Sequence, residues 1–209
     1  MAELPATLAG QGITTGGVTE SVQAITRADG MQAAIVPVHG VPALGWAALA
    51  TAPAPSAKTT VSATVTSLEN ALLRLTLNGD GEITSVIDKT TGREAIAAGQ
   101  TANRLVAYED KSKNWDAWDI DWYFEEQSWP MGPATVTVQE TGPHRAALRI
   151  ERAYGQSRIV QVVSLSAGAR QVEFDTFIDW HDQQTVLKAV FPFDMNVSEV
   201  RSEIQFGHV

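Results

Sequence analysis

From Thr60 onward apolar residues recur at every second position, a period that admits β-strands and leaves no room for amphipathic helices as the main element. Leu73, Leu75 and Leu77 alternate with Leu72, Arg74 and Thr76. Asn78-Gly79-Asp80-Gly81 then supplies residue types that tolerate positive φ, and residues 82–88 run extended again, which is the pattern of a β-hairpin. Ala146, Leu148 and Ile150 alternate with Ala147, Arg149 and Glu151. After Tyr154-Gly155, Ile159, Gln161, Val163 and Leu165 alternate with Arg158, Val160, Val162 and Ser164. A further strand puts Val172, Phe174, Thr176, Ile178 and Trp180 on one face and Glu173, Asp175, Phe177 and Asp179 on the other, with Ser166-Ala167-Gly168-Ala169 as the intervening turn. No helical stripe of about ten residues or more competes, so the spacing predicts an all-β chain whose antiparallel sheets pack as a sandwich.

The first 30 or so residues, rich in Gly, Thr and Ala, read as weak strands or loop, partly disordered. Residues 33–38 and 45–50 read as two short strands, and the Pro/Ala segment 51–57 has linker character. A boundary is placed there: 1–57 as a small β-domain portion with its linker, 58–209 as the large β-sandwich. A chain of 209 residues can bury a sizeable core without bridges, and with no cysteine it has none. The net charge of -9 has the wrong sign for neutralising phosphates, which argues against nucleic acid or an anionic membrane as partner. No basic leader with an apolar core and no unbroken apolar span is visible, and together with the lack of cysteine this points to a cytoplasmic protein.

The segment from Asn103 to Pro133 departs from the alternation. Trp115, Trp118, Trp122 and Trp129, four of the six tryptophans, stand here among Asp116, Asp119, Asp121, Glu125 and Glu126. Aromatic faces beside carboxylates suit carbohydrate, since a ring stacks on the C–H face of a sugar while carboxylate oxygens accept from its hydroxyls. The same residues also fit a plainer arrangement, in which the indoles fill the space under a long loop and the aspartates cap its turns. Other chemistry is thinly signalled. His39, His144, His181 and His208 show no metal-ligand spacing and read as surface or turn residues. Trp180-His181-Asp182 reads as a turn rather than an acid/base pair, because adjacent strand residues face opposite ways.

Several segments, taken in order, resemble a known family. Glu69-Asn70-Ala71-Leu72-Leu73-Arg74-Leu75, the stretch Gly81-Glu82-Ile83-Thr84-Ser85-Val86-Ile87-Asp88-Lys89 and Gly92-Arg93-Glu94 are similar to the opening of the large β-domain of family 38 α-mannosidases. Asn103-Arg104-Leu105, Trp115-Asp116-Ala117-Trp118-Asp119-Ile120, Ser157-Arg158-Ile159-Val160-Gln161, Asp179-Trp180-His181, Leu187-Lys188-Ala189-Val190-Phe191-Pro192 and Glu203-Ile204-Gln205-Phe206-Gly207-His208 follow in the family's order. Val41-Pro42-Ala43-Leu44-Gly45-Trp46 looks like the end of the small β-domain that precedes it, and the motifs look closest to the bacterial and cytosolic branch.

The resemblance implies a mutarotase-like supersandwich that continues past Val209 and belongs to a retaining exo-hydrolase of α-mannosides. In that enzyme a zinc ion binds sugar hydroxyls and an Asp nucleophile forms a glycosyl intermediate. No position here matches the family's zinc-ligand or nucleophile motifs. Catalytic and metal residues are therefore assigned to none in this chain, and zinc to a catalytic domain of the same polypeptide, which with the α-mannoside is the implied partner. Trp115, Asp116, Trp118 and Asp119 are the residues the resemblance places at the rim of the substrate pocket. Two other functions stay open: a stand-alone carbohydrate-binding module, and a mutarotase-like epimerase for which His144 and Glu140 are the nearest acid/base pair.

Overall fold

The computed structural model describes residues 1–115 and 118–209. Strands dominate, and two 3-10 turns are the only helical elements among the described residues. The N-terminal stretch holds β1 (Ala2–Pro5), the turn η1 (Ala6–Leu8), β2 (Gly12–Thr15), β3 (Val18–Ser21), β4 (Gln23–Thr26), β5 (Gln32–Val36) and β6 (Ala50–Ala52). They pair as two three-stranded sheets, β1-β5-β4 and β3-β2-β6, joined by the buried Ile13, Val22, Ala34 and Val36. The Gly/Thr-rich start is thus strand, in four-residue pieces too short to show a period. The strand expected over 45–50 is not there. Gly45 donates its N–H to the Pro42 carbonyl, Leu44 sits at φ 55, and Leu44 and Trp46 are exposed, so a turn replaces it and only Ala50 joins a ladder.

Beyond residue 60 come β7 (Ser62–Thr64), β8 (Ser67–Glu69), β9 (Leu73–Leu77), β10 (Ile83–Asp88) and β11 (Arg93–Glu94), which form one antiparallel sheet in the order β11-β10-β9-β8-β7. After β12 (Arg104–Glu109), the turn η2 (Trp122–Glu126) and β13 (Ser128–Pro130), the long strands β14 (Thr135–Thr141), β15 (Arg145–Tyr154), β16 (Ser157–Ser166) and β17 (Val172–Asp179) form a second sheet in chain order. The alternation places Leu73, Leu75 and Leu77 of β9 against Ala146, Leu148 and Ile150 of β15 and Val163 and Leu165 of β16. Leu75 and Leu148 have no exposed surface, and each such leucine contributes roughly 1.5–3 kcal/mol by leaving water.

On β16 both faces are apolar because both are covered. Val160 and Val162 pack with Ala147 against Ala28, which lies in the turn closed by the Arg27 N–H to the Met31 carbonyl. The Ala28 N–H donates to Asp175 Oδ2 at 2.8 Å, fixing this N-terminal turn to β17. The final named strands are β18 (Thr185–Val190), which returns to pair with β12, and the short β19 (Glu203–Ile204) and β20 (Gly207–His208).

Candidate functional site

β12 is the middle strand of a small sheet, β13-β12-β18, paired with β18 from Arg104↔Val190 to Glu109↔Thr185. Its position is set at its base by Asn103, which is fully buried and left-handed at φ 56. The Asn103 Nδ2 donates to Gln161 Oε1 at 3.0 Å, and Gln161 Nε2 donates back to Asn103 Oδ1 at 3.1 Å. Asparagine is among the few residues that accept that backbone conformation, and the amide pair satisfies both side chains inside the core. Gln161 looks in the sequence like one polar interruption of an apolar face. The fold uses it to hold β12 against β16.

Residues 110–115 and 118–127 leave this sheet as an aromatic and acidic loop. Trp115 is left-handed at φ 59, and its carbonyl accepts the N–H groups of Trp118 at 2.7 Å and Asp119 at 3.0 Å. The Asp119 carbonyl in turn accepts from Ser112 Oγ at 2.7 Å. Trp115 is 75% exposed, Trp118 89% and Trp122 84%, and Asp119 is exposed beside them. Asp116 lies outside the described residues. Large indoles standing in water contradict the plainer arrangement in which they fill space under the loop. The capping half of it holds for one aspartate: Asp121 Oδ2 accepts the Lys113 N–H at 2.9 Å.

Asp121 also latches the loop through Tyr123, whose hydroxyl donates to Asp121 Oδ2 at 2.5 Å and reaches the Lys111 carbonyl at 3.2 Å. The Tyr123 hydrogen bond, then the Lys113 N–H, hold the Asp121 carboxyl below its usual range, while the same carboxylate pushes the Tyr123 phenol up to about 12. A lowered carboxyl pKa means the latch is present above the unfolded value of about 3.9 and is lost as pH falls through the folded one. A raised phenol pKa means it is present below about 10 and is lost as pH rises through the folded value. The latch's stabilisation is therefore full from about pH 4 to about pH 10 and is lost above that as pH rises through the folded Tyr123 value of about 12. Asp121→Asn should bring the Tyr123 midpoint back toward about 10 in a phenolate absorbance titration, with the other two tyrosines as internal controls. An unchanged midpoint would show that the latch is not formed.

The epimerase pair is taken apart by the geometry. His144, expected at the surface, is 7% exposed, and its Nε2 lies 2.7 Å from the Ser21 carbonyl oxygen and 3.2 Å from Ser21 Oγ. Glu140 is 8% exposed and holds Arg145 through two hydrogen bonds. Both groups pin the N-terminal strands to β14 and β15, and neither is free to meet a substrate. Trp180-His181-Asp182 lies in the connection after β17, whose bend falls one residue later, at Gln183 and Gln184. Trp180 stacks on Tyr154, His181 Nε2 pairs with Asp179 Oδ1 at 2.9 Å, and Asp182 accepts from Ser157 Oγ. Among the described residues no three His, Asp or Glu side chains are grouped to hold a metal ion, so these residues do not fit a zinc site.

Residues 68–209, well over half of the chain, match the model of the glycosyl hydrolases family 38 C-terminal domain. The chain belongs to glycosyl hydrolase family 38. It is 37% identical over 145 residues to alpha-mannosidase 2C1 of Homo sapiens, and 26% identical over 148 residues to alpha-mannosidase G of Dictyostelium discoideum. Each match covers 68% of this chain and 14% of the relative, so the chain spans about one seventh of the length of these relatives. The fold is shared with the crystal structure of an alpha-mannosidase from Enterococcus faecalis V583, at a TM-score of 0.69 and 13% identity over 97% of this chain and 30% of that one. The family 38 resemblance read from the ordered motifs is thereby confirmed, together with the all-β sandwich. Lys188 and Phe124, described below, were not legible as partners, since one sits in a strand and the other in a turn about sixty residues earlier.

Proposed function

We propose that this chain is a non-catalytic β-portion of an α-mannosidase, packing beside a catalytic domain of the same polypeptide and supplying part of the rim of its sugar pocket. The observation that carries the reading is the loop that holds Trp115, Trp118 and Trp122 out in water next to Asp119, in a family whose named relatives are α-mannosidases. Exposed indoles cost solvation unless a ligand or a partner covers them, and a sugar face with hydroxyls at its rim matches ring and carboxylate together. The chemistry of glycoside hydrolysis needs two carboxyl groups set across one sugar at roughly 5–10 Å, and zinc, where the parent enzyme uses it, needs ligands that the described residues do not group. Both belong in this reading to the catalytic domain, and the isolated chain does not turn over mannosides.

Trp118→Ala in the polypeptide that joins this chain to its catalytic domain should raise KM for an α-mannoside about tenfold, with kcat little changed, because a rim contact binds ground and transition states alike. Thermal stability should not move, since the indole is 89% exposed. An unchanged KM in the folded variant sinks the rim assignment. Titrating the isolated chain with mannose and methyl α-mannoside, beside a hydrolysis assay with added zinc, tests the rest. No heat and no turnover agree with the proposal, measurable affinity would make the chain a binding module in its own right, and turnover would overturn it.

A further inference from the structure

The 3-10 turn η2 carries Trp122 and is tied to β12 at its C-terminal end, where the Gln127 carbonyl accepts the Glu109 N–H at 3.1 Å. It buries no residue, and Asp121 at its N-terminal end makes no side-chain capping bond. Within the turn, the side chain that meets the sheet is Phe124, whose ring meets Tyr108 of β12 edge-on at a centroid distance of 5.3 Å. On β18, Lys188 stands directly across from Val106 of β12 and so shares a face with Tyr108, two residues along, a diagonal that a long side chain spans. Its ammonium lies 3.7 Å from the centroid of the Phe124 ring and 5.9 Å from that of Tyr108. Lys89 and Lys111 pair with carboxylates, whereas among the described residues Lys188 forms no ion pair and its charge meets aromatic faces instead.

We propose that Lys188 is a positioning residue, a cation clamped on the Phe124 ring that fixes η2 and thereby aims Trp122 and the Asp121–Tyr123 latch. The clamp deepens the rim reading and rests on it only in its last step, the effect on sugar. The ammonium acts on the face of the ring, where the π charge is negative, while Tyr108 holds the ring's orientation from the side. A residue that merely packed its methylenes there would do as well without a charge.

Two substitutions separate these roles. Lys188→Met keeps an unbranched apolar stem one atom shorter and removes the cation, whereas Lys188→Arg keeps the cation and offers a plane that stacks on aromatic rings. Backbone order parameters of residues 122–126, measured by NMR relaxation on this chain, should fall from about 0.85 to below about 0.6 in the Met variant and stay high in the Arg variant. Those of β15 and β16 serve as the control for an intact fold. High order parameters in a folded Met variant overturn the clamp. In the polypeptide that includes the catalytic domain, the Met variant should raise KM about tenfold at unchanged kcat, with recovery in the Arg variant. Loosened residues 122–126 with an unchanged KM would leave the clamp standing and remove the sugar rim.

Discussion

Glu140→Ala should lower the stability of this chain by about 3–5 kcal/mol, read as a fall in the urea midpoint. The carboxylate is 6% exposed and the Arg145 side chain it faces is 12% exposed, with Oε2 accepting from Nε at 2.9 Å and Oε1 from Nη2 at 2.7 Å. Oε1 also accepts the Thr26 N–H at 3.2 Å, and Oε2 the Gln23 Nε2 at 3.4 Å. Alanine would leave a nearly buried guanidinium without its counter-charge and strand a backbone donor, and it is the abandoned charge that makes such a loss large. A β-bulge explains why the grip falls here. The register of β14 against β15 shifts between Val138 and Glu140, so the successive residues Gln139 and Glu140, which a regular strand would send to opposite faces, both reach Thr26: Gln139 at its carbonyl, Glu140 at its N–H. Gln23 completes the seam, taking the N–H groups of His144 and Arg145 on Oε1, each at 2.9 Å. Hydrogen exchange at Thr26 and Ala28 should therefore quicken more than at the core of β15. A loss under about 1 kcal/mol would mean that Arg145 finds water when its partner is removed, and that the seam is not closed.

That seam also shows where sequence reasoning stopped. The strands of the sandwich were legible because one property, alternation, is local and repeats over five to ten residues in β9, β15 and β17. The bulge at Gln139 and the buried histidine were not, since each depends on a strand more than a hundred residues earlier. The same limit applies to the aromatic loop. Composition singled out Trp115, Trp118 and Asp119, and ordered motifs supplied the family. Nothing local announced that the indoles would stand in solvent, that Tyr123 would close the loop on Asp121, or that Lys188 would come to lie on Phe124. The last of these is made by pairing β12 with β18, a contact between segments some eighty residues apart.

Gly81→Ala should cost about 2–5 kcal/mol, although glycine to alanine in a hairpin turn is often harmless. Gly81 sits at φ +68, and its N–H closes the turn on the Asn78 carbonyl at 3.1 Å. An L-residue in that conformation loses roughly 1–2 kcal/mol to the contact of its Cβ with the backbone. A Cβ built there would also lie 2.7 Å from Cγ2 and 3.0 Å from Cδ1 of Ile150, a side chain that is 1% exposed and packed among Leu75, Leu77 and Leu148. Ile150 cannot retreat without displacing that core, which adds roughly 1–3 kcal/mol of overpacking. Nor can the turn swing away freely, because Arg152, two residues along β15 on the same face, donates to the Asp80 carbonyl. Gly79→Ala supplies the comparison within the same turn. Gly79 has nothing within 4 Å of its added Cβ and no positive φ, so its change should be neutral or stabilise by up to about 1 kcal/mol through the unfolded chain. If the two variants instead melted together in urea, the close approach of the β9–β10 hairpin to β15 would not be the contact that holds this end of the sandwich shut.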